Sequence, residues 1–185
     1  NGCSWNQCTY CEMYTAPQKK FALRDGNEVL ESIRQCGEQF GPQVQRVFLG
    51  DGDALVLSTR RLLDVLHTIR LHLPQVRRIS SYCLPRNVRN KSVEELQSLR
   101  EAGLSLVYVG AESGDDEVLK AMHRVYTRES YLEIIRELRV AMPQVGLTTD
   151  IIVGFPGETD AQFENTMTVM EEVRFDGAYI FMYSP

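Results

Sequence analysis

Apolar runs of strand type alternate with amphipathic stretches of helical period along this chain. The strand-type runs recur roughly every thirty to forty residues, as right-handed βαβ units require. That alternation confines the fold to the α/β class. Val44 to Gly50, Val76 to Tyr82, Leu104 to Gly110, Gly146 to Gly154 and Ala178 to Tyr183 read as strands. Near-continuous apolar strands suit a parallel sheet covered by helices. Between them, Val29, Leu30, Ile33 and Cys36 fall at helical spacing in Glu28 to Phe40. Leu62, Leu63, Leu66, Ile69 and Leu73 form one stripe ended by Pro74. Ser92 with Glu95, and Thr159 with Gln162, have the spacing of capping boxes and predict helix starts. Thr127 predicts another, for a helix running to Met142. Five strands are visible, and a closed eight-fold barrel needs three further βα units. The expected fold is therefore an incomplete, partial TIM-type βα barrel, occupying residues 1–185 as one domain.

Functional loops in such folds leave the C-terminal ends of strands. Cys3, Cys8 and Cys11 stand at the very start of the chain with no strand before them. The expectation is an excised core that lacks its first strand. The chain has 5 cysteines, an odd number, three of them within this one short segment. A disulfide framework is usually even and spread through a small secreted chain, so the cluster reads as a ligand set. A structural zinc site takes four protein ligands, and His67, His72 and His123 all fall away from the segment. An electron-transfer [4Fe–4S] centre also takes four cysteines. Three thiolates leave one iron open. Cys36 and Cys83 read as isolated thiols that pack as small hydrophobes.

No basic-then-apolar leader and no run of eighteen apolar residues is present, so neither a signal peptide nor a membrane span is expected, and the chain reads as cytoplasmic. A net charge of -5 argues against a broad nucleic-acid footprint. The stretch Arg86, Arg89, Lys91 reads as a solvated loop.

The spacing C-x4-C-x2-C, followed by βα units, resembles the radical S-adenosylmethionine (SAM) superfamily, one residue longer than that family's usual C-x3-C-x2-C. The resemblance implies a [4Fe–4S] cluster on Cys3, Cys8 and Cys11, with SAM on the fourth iron. It implies a role for Tyr10 against adenine. Gly50, Asp51, Gly52 and Asp53 fall where the family has a Gly-Gly-Glu-like motif. There the backbone, Asp51 or Asp53 would accept hydrogen bonds from the methionine ammonium; a plain βα turn is the alternative. Glu112 and Ser113 match the positions that bind ribose, or else they cap the helix at Asp115. Ile152, Gly154 and Tyr183 match the adenine contacts, or else they belong to the core. Asp150 is either an interior polar residue near substrate or a hydrogen-bonded core carboxylate.

Met122-His123-Arg124, Tyr126 to Glu129, Thr148 to Thr159 and Tyr183-Ser184-Pro185 resemble tRNA and ribosomal-protein methylthiotransferases. Leu49 to Leu55, Leu84 to Asn87 and Val107 to Asp116 look more like a poorly characterised radical SAM group. The change near residues 119–125 fits a composite chain or a lineage carrying both signatures. The implied activity is reductive cleavage of SAM to a 5′-deoxyadenosyl radical, with a flavodoxin- or ferredoxin-like one-electron reductant as partner and RNA or protein as substrate. The alternative is a truncated scaffold that binds an iron–sulfur cluster or zinc without catalysis.

Overall fold

The computed structural model describes residues 2–14, 16 and 20–184. Pro185, part of the last motif quoted above, lies outside them. The elements run α1 (Gly26–Phe40), β1 (Arg46–Leu49), α2 (Thr59–His72), β2 (Arg78–Tyr82), α3 (Pro85–Arg89), α4 (Val93–Glu101), β3 (Leu104–Tyr108), α5 (Asp116–Ala121), α6 (Arg128–Ala141), β4 (Gly146–Val153), α7 (Asp160–Val173) and β5 (Gly177–Met182). The five strands form one sheet in the order β1-β2-β3-β4-β5, every neighbouring pair parallel. Sequential order with helical crossovers is the topology of a partial βα barrel.

Local chemistry sets the helix starts. Ser92 and Thr159 each close the capping boxes expected of them, and Thr127 closes another with Ser130. Asp25 accepts hydrogen bonds from the Asn27 and Glu28 amides, so α1 begins at Gly26, ahead of the expected Glu28. Helix α3 departs from the expected solvated loop. Pro85 sits in its first turn, where a missing N–H costs nothing, and Asn87 and Val88 are buried. Arg86, Arg89 and Lys91 are each engaged, by Ser4, Glu133 and the Leu57 carbonyl respectively.

Alternation divides the sheet into two faces. Ile79, Val107, Leu147 and Ile151 point to the helices and join Leu66, Ile69, Leu99 and Leu138 in the main core. The opposite face carries Phe48, Tyr82, Tyr108 and Tyr179 in a row, with ring centroids 5.1 Å, 5.3 Å and 6.2 Å apart in turn. Phe48, Tyr82 and Tyr179 are exposed. A cavity of about 670 Å³ lies between α1, α2 and β1, lined by Val29, Ile33, Cys36, Val47 and Leu49. It lies on the helix side of the sheet and reaches Gly50, Asp51 and Asp53 after β1. Cys83 is buried and Cys36 half-buried, as expected of packing thiols. Among the described residues no helix is long and apolar enough to cross a membrane.

Candidate active site

The cysteine segment has no regular structure, so its shape depends on what holds it. Asp53, at the end of β1, accepts from the Ser4 amide (2.9 Å) and the Ser4 hydroxyl (2.6 Å). The same carboxylate accepts from Asn87 Nδ2 of α3 (3.1 Å), and Arg86 donates to the Ser4 hydroxyl. Gly52 has φ +92°, and a Cβ there would lie 1.9 Å from the Gly2 carbonyl oxygen. Glycine is therefore required both for the turn and for the close approach of the two strands of chain. The other end of the segment docks on the residues after α5. Thr9 donates from its amide to Met122 O (3.2 Å) and from its hydroxyl to Ala121 O (3.0 Å). Trp5 Nε1 donates to His123 O (2.9 Å), and His123 Nδ1 lies 3.2 Å from Gln7 O.

Cys3, Cys8 and Cys11 are all free and half-buried. Burial raises the Cys11 thiol above its usual range; a backbone hydrogen bond at Met13 pulls it down, and the charges of Cys8 and Cys3 push it up again. The three sulfurs thus share one electrostatic space. Among the described residues, no three His, Cys, Asp or Glu side chains converge as a single ion demands. Thiolates around a tetrahedral zinc at about 2.3 Å stand only about 3.8 Å apart. Three soft thiolates on one loop suit an iron–sulfur cluster, whose ligands bind separate irons and need not converge on one ion.

Beside the loop lies a buried polar group. Arg124 and Glu112 are 6% and 10% exposed at their side chains and 3.6 Å apart. Arg124 Nη1 reaches Tyr10 OH (3.2 Å) and Cys8 Sγ (3.4 Å), and its Nε donates to Tyr126 OH (2.9 Å). Tyr126 OH in turn donates to Gly110 O (2.8 Å). Glu112 has φ +60° and is bridged to β4 through its own amide to Asp150 O (2.8 Å) and its carbonyl from the Ile152 amide (2.9 Å). A non-glycine residue held left-handed at a strand end is the kind of strain that functional sites store. Burial raises the Glu112 carboxyl, opposed by Arg124 and reinforced by Asp150. Asp150 is likewise raised by burial and pulled back by Arg124.

On the apolar side, Ile152, Phe155, Val118 and Met122 form a second small core on which Tyr10 and Tyr183 pack. Phe155 and Tyr183 meet edge to face at 5.2 Å. Gly154 has φ +71° with nothing within 4 Å of a Cβ placed there. Its amide donates to Glu158 (2.7 Å). Tyr10, Glu112, Ile152 and Tyr183 are therefore brought together with the cysteines. Ser113 is turned away: it is buried against Thr166 of α7 (3.3 Å) and accepts from the Asp115 amide (3.1 Å). Asp53 is committed to the loop, whereas Asp51, at φ +66°, meets the Tyr14 hydroxyl. Gly50 backs onto the Phe48 ring. Sequence reasoning assigned no role to Arg124, Tyr126 or Asn87. The available signal for Arg124 was a cation inside the quoted Met122-His123-Arg124 motif.

A parallel βα sheet with a three-cysteine loop across its strand ends defines a class, and comparison agrees: the Radical SAM superfamily matches residues 1–170. The chain belongs to that superfamily, whose cofactors are a [4Fe–4S] cluster and SAM. Among curated relatives, the tRNA-2-methylthio-N(6)-dimethylallyladenosine synthase of Oceanobacillus iheyensis is 36% identical over 192 residues, covering 96% of this chain and 34% of that protein. The enzyme of the same name from Bacillus subtilis is 35% identical over 185 residues, 96% of this chain and 35% of its own length. The chain thus spans about a third of the relatives it matches, and the likeness runs through both of its halves. Two solved structures share the fold. Coproporphyrinogen III oxidase from Escherichia coli has a TM-score of 0.73 at 19% identity, covering 100% of this chain and 43% of that one. A radical SAM methyltransferase from Kitasatospora setae has a TM-score of 0.76 at 18% identity, covering 98% and 35%.

Proposed function

We propose that residues 1–185 act as one radical SAM core in which Cys3, Cys8 and Cys11 each ligate an iron of the cluster and SAM takes the fourth. When bound, the cluster and SAM supply reductive cleavage of the sulfonium C–S bond and abstraction of a hydrogen atom from a substrate. The chain's own residues position and shield. Tyr10, Ile152, Phe155 and Tyr183 provide an apolar seat for adenine, and Gly154 leaves it open. Glu112 offers the ribose hydroxyls a carboxyl held by Arg124. The backbone from Gly50 to Gly52, with Asp51, suits the methionine ammonium; Asp53 serves this end by holding the loop. Ser113 acts indirectly, by fixing the turn after β3.

The observation that carries this reading is that Tyr10 of the cysteine segment packs in the same cluster as Ile152 and Tyr183, beside Glu112. Those residues come from four separate parts of the chain. The substrate reaction we infer is methylthiotransferase-like, on tRNA or protein, in the cytoplasm, with a flavodoxin- or ferredoxin-like electron donor. The names of the relatives support it. The test is anaerobic reconstitution with iron and sulfide, reduction, and addition of SAM. 5′-Deoxyadenosine is the expected product. A loaded cluster without that product would favour a non-catalytic scaffold, and zinc uptake in place of iron would overturn both cluster readings and leave only the zinc-binding scaffold.

A further inference from the structure

Helix α3 carries Arg86 and Arg89, and both line one small pocket of about 70 Å³ together with Trp5, Pro85, Val125 and Ile134. Among the described residues, none that lines it is acidic. Trp5 falls between Cys3 and Cys8, so its indole is the largest side chain between two of the proposed cluster ligands. The indole is held on two sides: Nε1 donates to His123 O (2.9 Å), and the Arg86 guanidinium lies over the ring at 5.6 Å. Arg86 donates to the Ser4 hydroxyl and forms no ion pair among the described residues. Arg89 pairs with Glu133 (3.0 Å), with the two side chains 48% and 50% exposed. Surface pairs of that kind contribute little and exchange readily for another carboxylate. Asn6 and Gln7, next to Trp5, are exposed, as is Val125. Tyr10, Ile152 and Tyr183, the adenine seat, do not line this pocket.

We propose that this patch is the docking surface for the electron donor: an acidic one-electron carrier protein sets its carboxylates against Arg86 and Arg89, with Trp5 at the contact nearest the cluster. This rests on the cysteine assignment proposed above and adds the surface that the partner uses. One electron leaves the reduced carrier and enters the cluster. The carrier is oxidised by one electron, the cluster is reduced by one, and no bond forms or breaks. Electron transfer falls steeply with distance, so the carrier must reach the segment that bears the ligands, and must do so away from the adenine seat. Charge complementarity identifies the partner. The chain has a net charge of -5, so an acidic carrier is repelled by the molecule at large and drawn only by a local field. A nucleic acid would call for a longer basic stripe, whereas α3 brings two arginines to a single pocket.

The test follows the reconstituted full chain by stopped flow as a reduced acidic flavodoxin delivers its electron, without SAM, at low and at high salt. Dithionite serves as the small reductant that needs no docking. Two variants spare the contacts that hold the cysteine segment: Arg89→Glu reverses a charge, and Val125→Glu places a carboxylate at the pocket. Each is expected to slow reduction by flavodoxin roughly tenfold at low salt, with the difference shrinking as salt screens it. Reduction by dithionite should stay as in the native chain. Native reduction by flavodoxin should itself slow as salt rises; a rate that climbs with salt means that net repulsion governs the encounter, and it overturns the proposal. A native flavodoxin rate in either variant overturns it as well. Calorimetry of oxidised flavodoxin with the cluster-free chain is the second reading: the native chain should bind, and both variants should bind roughly tenfold more weakly. Variants that lose binding to a tRNA transcript while flavodoxin binds as before would assign the patch to RNA instead. A native chain that binds flavodoxin yet takes up no cluster strikes the cysteine assignment and leaves the surface standing.

Discussion

Replacing Gly52 by alanine tests whether the cluster loop is seated by backbone contact. The new Cβ would start 1.9 Å from Gly2 O and 3.1 Å from Cys3 Cα, and ordinary contact begins at 3.4 Å. The Gly2 carbonyl must therefore recede by about 1.5 Å, and it carries Cys3 with it; metal ligands tolerate only about 0.2 Å. Cys8 cannot follow freely, because Thr9 is tied to Ala121 and Met122. Backbone strain adds to this: an L-residue at φ +92° costs about 1–2 kcal/mol. Gly157→Ala is the control, with φ +85° and nothing within 4 Å of its Cβ. Both variants should lose about 1–2 kcal/mol of stability from strain in denaturant unfolding of the cluster-free chain. Gly52→Ala alone should lose most of its capacity to take up iron and sulfide. If it loads like the native chain, the seating argument is wrong.

Asp53→Ala leaves Ser4 and Asn87 donors buried without a partner, at a cost of about 1–3 kcal/mol. Iron content should fall with it; unchanged iron with weakened SAM binding would restore Asp53 to the methionine ammonium. Burial raises the Glu112 carboxyl despite Arg124, so the folded chain holds that proton more tightly than the unfolded one. Stability of the cluster-free chain should then fall as pH rises from the usual carboxylate range towards that raised value. Glu112→Gln should flatten the slope, leaving the share of Asp150, which denaturant midpoints across pH would read. Asp115 behaves oppositely: burial pushes it up, but the Asn165 and Gln162 side chains and the Val118 and Glu117 amides prevail and lower it. Its stabilisation is present above the usual carboxylate range and lost as pH falls through it. Asp115→Ala should cost about 1 kcal/mol as a lost N-cap and leave unfolding less sensitive to acid.

Strands, helices and caps were legible because each is written in neighbouring residues. Period-2 and period-3.6 apolar patterns located β1 to β5 and the long helices, and three capping residues marked their starts. Helix α3 was not legible, since Pro85-Arg86-Asn87-Val88-Arg89 has the composition of a solvated turn and is helical because Asn87 and Val88 are buried against distant chain. The site divides along the same line. The cysteine spacing and the glycine turn are local signals. The contacts that separate Asp53 from Asp51, or turn Ser113 away from the site, link residues 49 and 53 positions apart. No pattern along the chain encodes which oxygen a buried donor will find. The aromatic row from Phe48 to Tyr179 was hidden for a related reason: each ring is ordinary in its own strand, and only the register of four strands aligns them.

The cysteine segment is held from two sides of the fold. Its first turn is fixed by side chains of the first half, Asp53, Arg86 and Asn87. On its other side it meets the end of α5 and the residues after it: Thr9 bonds the carbonyls of Ala121 and Met122, and Trp5 bonds the carbonyl of His123. Carbonyl acceptors are indifferent to side-chain identity, so Ala121 can vary while the loop keeps its seat; Met122 packs in the small core with Tyr10, and His123 Nδ1 meets Gln7 O. Arg124 also acts through its side chain, which touches Cys8, Tyr10 and Glu112. Substitution on either side of it should therefore be tolerated for cluster seating far better than substitution of Arg124 itself. Alanine at Lys120 or Val125, both exposed, should leave iron uptake unchanged; a loss there as large as in Arg124→Gln would mean that uptake follows general disturbance of the loop and not the buried side chain.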